Sequence, residues 1–433
     1  MRGLAVLVFV GCRGSMGPEA VVHFPASAPL SVGFAGAPTS LFGSVEDPDF
    51  AGPFQQMADA GADQFFPLFL TSEADGEAQT TGHLSHFLSP TLLGFDDAFT
   101  CRGASDPYAA AEGRLRILFP GALLFQLQPI DSPVDRAVLT THLTTQREEC
   151  WDGHGEIISA FSSYDQPVLT YAVAQTQGRS AVDLDNISTA ADVVHDVLNL
   201  PTVLIEGPRP SLFSESHLTS AQRVAVEERF EEGVARVAGM VDSFGFDVYP
   251  VPDLNLTEPG AYVQWARELS GDGRTVSVLQ GFGYEQTTLG DVPGRLPTEG
   301  ELRFMAFDSI AAGADELLWF GQSTLDLNVP SEAQLWDTLL TVTGDIAELR
   351  NVVTRPVVLF EQSDHHALRG HGDDNSMVLI VVNRLDADQT FTIQLDGAVS
   401  ATTQMGRNGV VVEEVLTTTL ASLSAAVFEI DFE

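Results

Sequence analysis

The sequence predicts an α/β protein, a (β/α)8 TIM barrel followed by a small all-β sandwich domain. Segment 244–322 alternates three short strand-like runs with two helix-like runs, which is typical of parallel strands joined by helices. Polar or aromatic residues follow these strands, as they do where such a barrel carries its active site. After Thr354 the helical periodicity ends, and short strands with turn-rich joins favour a sandwich.

Eight apolar runs bounded by Gly, Pro or polar residues are the predicted barrel strands. In order they are 30–36, 64–71, either 115–120 or 123–128, 167–174, 202–206, 246–250, 276–282 and 316–321. Helices are predicted between them at 54–61, 133–150, 155–164, 189–198, 220–241, 262–270, 298–312 and 331–353. The polar segment 72–85 is expected to form a long loop over the barrel mouth. The predicted domains are the barrel at 28–354 and the sandwich at 355–433, after a signal and linker at 1–27.

Two of the predicted helices carry clear end signals. In 220–241, apolar residues recur at helical spacing between charged residues, and Ser220 is the expected N-cap. In 298–312, Thr298 and Glu301 are placed to form a capping box, and Gly313 suits a C-cap. These signals also limit where the neighbouring strands can begin and end.

The N-terminal residues MRGLAVLVFVGC resemble a bacterial lipoprotein signal, with Cys12 as the lipidated residue. An ordinary or mis-started export signal is the alternative. Both predict an exported protein of the cell envelope or extracellular space, which contacts the membrane only through a lipid anchor. Cys101 and Cys150 are then an even number of cysteines in an exported chain and predict a disulfide, with two buried free thiols as the alternative.

The charge balance of the chain is strongly acidic. There are 60 acidic residues against 21 basic ones, all of them Arg, and the net charge is −39. Such a surface repels nucleic acid phosphates and anionic lipid, so no nucleic acid partner is expected. The charge suits a salty environment, where screening removes self-repulsion, but a GC-rich genome would also replace Lys by Arg.

Residues 28–433 resemble a (β/α)8 glycoside hydrolase of the large retaining clan with a C-terminal β-sandwich. The resemblance rests on FDVYPVP, on LQGFGYEQ, on PTEGELRFMAFDSIAAGADELLWFG, and on MVLIVVNR, TFTIQL and VFEI in the tail. It implies that carbohydrate binds at the C-terminal face of the barrel. It also implies two carboxyl groups flanking the scissile bond, at the ends of the fourth and seventh strands.

The two strand ends depart from the family pattern. The fourth strand should finish in a sequence like Asn-Glu-Pro or Asp-Glu-Pro, whereas the predicted strand is followed by Gln175, Thr176 and Gln177. The seventh strand ends at Gln280, and Glu285 lies five residues later. Glu285 is a candidate nucleophile, with a solvated loop carboxylate as the alternative. The chain is therefore expected either to act on a saccharide or to bind one after losing the general acid.

Two other strand ends offer carboxylates for catalysis. Glu206 ends an apolar strand, where it is either a buried partner of Arg209 or a catalytic group with a raised pKa. Asp247 lies in FDVYP, where the family commonly has an acidic residue before Tyr; the alternative is a role in orienting a neighbouring strand.

Amide and aromatic residues at the strand ends suit sugar binding, because rings stack on pyranose faces and amides satisfy paired hydroxyls. For Trp319, a place in the barrel core is the alternative. The candidates are Gln175, Gln177, Tyr249, Gln280, Trp319 and Gln322.

No cofactor or metal is expected from the motifs. The chain has no G-x-S-x-G elbow, no H-E-x-x-H and no Gly-rich phosphate loop after a strand. The segment SDHHALRGHGDDN, which includes His365, His366 and His371, invites a metal interpretation. It lies, however, between two strands of the predicted sandwich, where a polar hairpin loop is the expected structure.

Overall fold

A computed structural model describes most of the chain. The residues it describes are 8–10, 29–44, 47–67, 87, 89–93, 101, 106–121, 133–154, 156–179, 181, 183–210, 219–252, 254–284, 294–373, 375–395, 398–405, 410–412 and 415–432. The predicted loop 72–85 and the alternative third strand 123–128 lie outside these residues.

Eight parallel strands form a closed barrel, as the sequence predicts. They are β1 (Ser31–Ala35), β2 (Gln64–Phe66), β3 (Arg116–Pro120), β4 (Ile158–Asp165), β5 (Thr202–Glu206), β6 (Ser243–Val248), β7 (Arg274–Gln280) and β8 (Glu316–Phe320). The ring closes where β1 pairs with β8, from Ser31 opposite Glu316 to Ala35 opposite Phe320.

Ten α-helices accompany these strands within the described part of the chain. They are α1 (Ala51–Asp59), α2 (Pro90–Leu93), α3 (Pro107–Ala111), α4 (Arg136–Gln146), α5 (Pro167–Thr176), α6 (Asp185–Leu198), α7 (Ser220–Val237), α8 (Glu258–Ser270), α9 (Glu299–Ala312) and α10 (Pro330–Leu349). The predicted capping box of α9 is formed by Thr298 and Glu301, and Gly313 ends the helix at φ 104°. For α7 the N-cap is Thr219, which forms a capping box with Gln222, so the prediction of Ser220 is one residue late.

The predicted fourth strand is wrong, and its position matters for the site. Segment 167–174 is the first part of helix α5, and the strand is Ile158–Asp165, which was predicted as a helix. Pro167 starts the helix at a position that tolerates a missing N–H. The sequence of this segment resembles a strand because the helix is apolar on more than one side. One side covers the barrel, and another packs against α7, where Val168 lies over Gly233.

Two apolar layers hold the barrel together. Alternate residues of the strands fill the interior, among them Leu118, Val203, Val276 and Leu318. The residues between them face the helices and form a second, larger layer. This alternation decides which strand-end side chains enter the barrel mouth.

The C-terminal region is a sandwich of two antiparallel sheets. Its strands are β9 (Val357–Gln362), β10 (His366–Gly372), β11 (Ser376–Asn383), β12 (Gln389–Gln394), β13 (Ala398–Met405), β14 (Val410–Val412), β15 (Val415–Leu420) and β16 (Ser424–Phe432). One sheet has the order β9, β10, β11, β16, β13. The other contains β12, β15 and β14, and Val8–Val10 pairs antiparallel along the outer side of β12.

A buried ion pair connects the barrel to the sandwich. Asp308 of α9 is fully buried and accepts a 2.7 Å hydrogen bond from Nε of Arg384, which follows β11. Burial raises the pKa of Asp308 to about 6, while the Arg384 guanidinium acts in the opposite direction. Because both charges are removed from water, loss of either partner would leave the other uncompensated.

Cys101 and Cys150 are joined by a disulfide with a Cα–Cα distance of 5.3 Å. The bond links the segment before α3 to the π-helical turn Arg147–Trp151 that continues α4. No helix in the described residues is long and apolar enough to cross a membrane.

Candidate functional site

Three polar side chains meet where β4 and β6 end at the barrel mouth. Gln166 Nε2 donates to Oδ2 of Asp247 at 2.9 Å, and the Tyr249 hydroxyl donates to the same oxygen at 3.1 Å. Asp247 is buried, with 9% of its surface exposed. The two donors hold the carboxylate in one orientation.

The backbone at Gln166 adopts an unusual conformation. Its φ and ψ are 42° and 51°, in the left-handed region that non-glycine residues seldom occupy. The turn allows the chain to leave β4 and enter α5 at Pro167 immediately. A Cβ at Gly207 would lie 3.1 Å from the Gln166 amide carbon, so a glycine suits the neighbouring strand end. Strained residues of this kind cluster at functional sites.

Glu206 lies on the outer side of its strand. Its neighbours Val203 and Ile205 point into the barrel interior. Its carboxylate accepts hydrogen bonds from the backbone N–H groups of Val168 (2.8 Å), Leu169 (3.3 Å) and Gly207 (3.1 Å). It therefore caps the N-terminus of α5. Burial raises the pKa of Glu206 to about 8, and the three N–H groups oppose that rise.

The predicted pairing of Glu206 with Arg209 is not formed. The Arg209 guanidinium lies 3.1 Å from Glu231 and stacks 4.5 Å above the Trp265 ring. Successive side chains of β5 point alternately inward and outward, and Glu206 is directed toward the helix layer. Arg209 lies three residues beyond the strand and contacts other groups.

Gln280 at the end of β7 is fully buried and bonded to backbone. Its Oε1 accepts from the Val251 N–H at 2.8 Å, and its Nε2 donates to the carbonyls of Val251 (2.8 Å) and Phe282 (3.0 Å). The amide thus fastens the loop after β6 to the end of β7. A direct role of Gln280 in sugar binding is contradicted, because both of its Nε2 protons are already used.

Four aromatic side chains, here called the aromatic cluster, lie half-buried at the same mouth. They are Tyr249, Phe282, Tyr284 and Phe320. Tyr249 stacks on Phe320 with centroids 5.1 Å apart and an interplanar angle of 14°. Phe282 meets Tyr249 edge-on at 5.2 Å and Tyr284 at 4.9 Å. A pair of stacked rings beside polar groups is a surface that a pyranose ring can cover.

Trp319 is not part of this surface. Along β8, Leu318 and Phe320 point inward, so Trp319 faces the helix layer. It is fully buried, and its Nε1 donates to Oγ1 of Thr343 on α10 at 3.0 Å. The core alternative is therefore the correct one. Phe320 was missed as the mouth residue, although the two-residue period of the strand would have distinguished it from Trp319.

Gln322 follows β8 and is fully buried at the mouth. Among the described residues, neither its amide oxygen nor its amide nitrogen has a hydrogen-bond partner. The amide lies against Gly281, where a Cβ would be only 2.0 Å from Nε2. Gly281 therefore allows the amide to occupy this position, close to the ends of both β7 and β8.

The remaining predicted site residues lie elsewhere. Gln175 is exposed near the C-terminal end of α5, and Gln177 is its C-cap. Because α5 runs back from the mouth, both lie toward the opposite face of the barrel, and their predicted place at the mouth is wrong. The error follows from the misplaced fourth strand. Glu285 lies outside the described residues.

The histidine-rich segment does not form a metal site among the described residues. His366 lies 2.7 Å from Glu361, whereas His371 accepts from Arg369 Nε at 3.0 Å. Both histidines belong to β10, which is a regular strand of the sandwich and not a loop, and they are five residues apart along it. Each ring therefore has its own partner.

Comparisons with known proteins address the fold. No protein-family model matches the sequence, and no curated protein matches it significantly. Solved structures do match it. An α-amylase from Geobacillus thermoleovorans, in complex with acarbose, has a TM-score of 0.54 at 11% identity over 93% of this chain and 98% of that chain. The fold is that of a (β/α)8-barrel glycoside hydrolase.

Two further structures agree with this fold. A maltogenic α-amylase from Thermotoga neapolitana has a TM-score of 0.53 at 11% identity, over 93% of this chain and 99% of that chain. A GH30 endoxylanase from Clostridium papyrosolvens C71 has a TM-score of 0.50 at 13% identity, over 94% and 97%. Similarity at these identities concerns architecture, and function depends on the site residues.

Within this glycoside hydrolase-like barrel, the corrected fourth strand changes the comparison with the family pattern. The strand ends at Asp165 and is followed by Gln166 and Pro167. The expected sequence is Asn-Glu-Pro or Asp-Glu-Pro, so Gln166 stands where the resemblance places the general acid. Gln280 stands at the end of the seventh strand, where it places the second carboxylate. Both positions hold an amide.

Proposed function

We propose that the barrel mouth binds an oligo- or polysaccharide without hydrolysing it. The observation that carries this proposal is the pair of glutamines, Gln166 and Gln280, at the two strand ends where the family resemblance places the catalytic carboxyl groups. A side-chain amide neither protonates a leaving oxygen nor attacks an anomeric carbon.

Two nearby carboxylates, Asp247 and Glu206, are already held by hydrogen bonds to protein groups. Hydrolysis needs two carboxyl groups facing the same bond, about 5–5.5 Å apart for retention and about 6.5–9.5 Å apart for inversion. Asp247 accepts hydrogen bonds from Gln166 and Tyr249, and Glu206 is turned toward the helix layer to cap α5. The Glu206 carboxylate is thus already engaged by backbone N–H groups.

Binding is supported by the aromatic cluster. Its rings are half-buried, so part of each remains at the surface of the mouth. The stacked pair of Tyr249 and Phe320 offers an apolar floor, and the Asp247 network lies at its edge. Stacking on a ring with polar groups beside it is how proteins satisfy the two kinds of surface that a sugar presents.

A polysaccharide panel that scores binding and released sugar separately tests the proposal. The wild type is expected to be retained by at least one polysaccharide and to release no reducing sugar. Phe320→Ala is expected to lose retention. Release by the wild type that Asp247→Asn abolishes would overturn the non-hydrolytic part, whereas absence of binding across the panel would overturn the carbohydrate part.

Export and lipid anchoring at Cys12 belong to the same proposal. The apolar run before Cys12 supports a lipoprotein signal. In the structure, however, Val8–Val10 pairs with Phe391–Ile393 of the sandwich, and cleavage before Cys12 would remove that strand. The mass of the N-terminal peptide from the native host decides: a diacylated Cys12 supports anchoring, and an intact Met1 overturns it.

A further inference from the structure

Two acidic side chains are bonded to the turn that leads from β4 into α5. Both strand neighbours of Asp247 belong to the helix layer, so Asp247 faces the mouth, whereas Glu206 faces the helix layer. Gln166 Nε2 donates to Asp247 at 2.9 Å, and the Val168 N–H donates to Glu206 at 2.8 Å. Pro167 alone separates these two donors along the chain. The turn therefore connects the two carboxyl groups, one on each side of the sheet.

Glu206 determines how this turn is held. Its side chain is fully buried, and its carboxyl group accepts three backbone N–H groups, two of them from the first turn of α5. A Cβ at Gly207 would lie 3.1 to 3.3 Å from the amide atoms of Gln166, so the backbone beside Glu206 lies against that amide. A change in the Glu206 carboxyl group therefore acts on Gln166, which in turn holds Asp247.

The protonation of Glu206 changes in the neutral to alkaline range. Burial raises its pKa to about 8, the three N–H groups oppose that rise, and the charge of Asp247 on β6 adds to it. The carboxyl group is therefore mostly protonated at neutral pH. Helix α5 carries one ionisable side chain, Tyr171, which lies beside Gly233 of α7. When Glu206 ionises, its new negative charge is thus opposed by that of Asp247.

A saccharide at the mouth strengthens this repulsion. The Tyr249 hydroxyl donates to Asp247 at 3.1 Å, and the ring of the same residue stacks on Phe320. A sugar that covers the stacked pair displaces water from beside the Asp247 carboxylate. Two negative charges repel each other more strongly when the surrounding water is removed. The occupied mouth therefore favours the neutral form of Glu206 over the ionised form.

We propose that Glu206 is a positioning residue through which saccharide binding responds to pH: its neutral form supports binding, and its ionised form weakens it. This inference rests on the binding proposed above. By linkage, binding takes up a proton in the range where Glu206 titrates, and the affinity falls as the pH rises through that range. Glu206 needs no contact with the sugar, because it acts through Gln166 and Asp247.

Titration calorimetry at two pH values tests the coupling. The probes are three soluble neutral polysaccharides: starch, arabinoxylan and mixed-linkage β-glucan. The affinity of the wild type for the probe that it binds is expected to be at least about fivefold weaker at pH 9.5 than at pH 7. Titrations at pH 8 in buffers of different ionisation enthalpy should show proton uptake on binding. Glu206→Gln, which is neutral at both pH values, should bind equally at both.

The matched control is Glu316→Gln, the same change at a buried glutamate that starts β8 at the opposite end of the barrel. Burial also raises the pKa of Glu316, and its Oε1 lies 3.2 Å from Arg274 Nη1. Because this carboxyl group is remote from the turn into α5, the variant should keep the pH dependence of the wild type.

Two results would overturn the coupling and leave the proposed binding intact. They are equal affinity of the wild type at both pH values, and a Glu206→Gln variant that retains the pH dependence. A wild type that binds none of the probes at either pH would overturn the binding and the coupling together. If Glu206→Gln does not fold, proton uptake by the wild type decides alone: uptake supports the coupling, and its absence overturns it.

Discussion

The side chains of Gln166 and Asp247 are joined by a 2.9 Å hydrogen bond at the barrel mouth, with the amide as donor. A glutamate at position 166 would have no proton to donate at neutral pH and would place a second carboxylate beside the first. The amide therefore suits this arrangement, because it supplies a proton to the buried carboxylate without adding a second negative charge.

Gln166→Glu is expected to create a carboxyl group with a raised pKa, because Asp247 disfavours its ionised form. A carboxyl group whose pKa is higher in the folded state makes the protein lose stability as pH rises through that pKa. The variant should therefore be less stable than the wild type at pH 8 by about 1–3 kcal/mol, and closer to it at pH 4. Urea unfolding at both pH values measures this. Gln175→Glu, an exposed residue with the same chemical change, should behave like the wild type.

Gln280→Glu is expected to destabilise the barrel rather than to create a nucleophile. The carbonyls of Val251 and Phe282 accept from the present amide at 2.8 and 3.0 Å and would face a carboxylate instead. The expected loss of unfolding free energy is about 2–4 kcal/mol at pH 7, and smaller at pH 4, where a protonated Glu can donate once. Denaturant titration measures the loss. An unchanged midpoint would contradict the assigned hydrogen bonds.

Phe320→Ala and Trp319→Phe should separate binding from stability. Removing Phe320 takes away one ring of the stacked pair and should weaken carbohydrate binding by about 3- to 10-fold, as expected for the loss of one aromatic contact. Trp319→Phe removes the donor to Thr343 and should cost about 1 kcal/mol of stability without changing affinity. Affinity electrophoresis and thermal unfolding of both variants supply the two readouts. If Trp319→Phe weakened carbohydrate binding and Phe320→Ala did not, Trp319 and not Phe320 would lie at the mouth.

Most of the fold could be predicted from the sequence because its periodicities are local. The helices α7 and α9 carry apolar stripes or capping residues, and seven of the barrel strands lie where apolar runs indicate them. The fourth strand could not be placed in this way. Ser159 and Ser162 make β4 weakly apolar, while Pro167 and Val168 begin a helix covered on two sides. Which of the two segments is the strand becomes clear only in the closed barrel, where Ile158–Asp165 pairs with its neighbours.

The site was predicted less well than the fold because it depends on side-chain direction. The positions of Asp247 and Tyr249 follow from their strand end, and the structure brings them together. The roles of Glu206 and Gln280 could not be inferred, since both bind backbone groups of segments distant in sequence. Contacts between segments that are distant in sequence cannot be predicted from a local residue pattern.

Glu206→Gln tests the capping role assigned to this carboxylate. The substitution replaces one acceptor oxygen by an NH₂ group opposite a backbone N–H of α5, which should destabilise the protein by about 1–3 kcal/mol at pH 5. The Glu206 pKa of about 8 lies above its ordinary value of 4.5, so the wild type should lose stability between these pH values. The cost of the substitution should therefore shrink toward pH 8. A cost that grows with pH would show that the backbone N–H groups outweigh burial.

The central claim is that the mouth holds a saccharide and leaves it intact. Native mass spectrometry of the wild type, incubated for days with an oligosaccharide from the best-retained polysaccharide, reports complex formation and sugar length in one spectrum. The account predicts a complex with the mass of one uncut oligosaccharide at every time point. A complex or free product with progressively shorter sugar would contradict it.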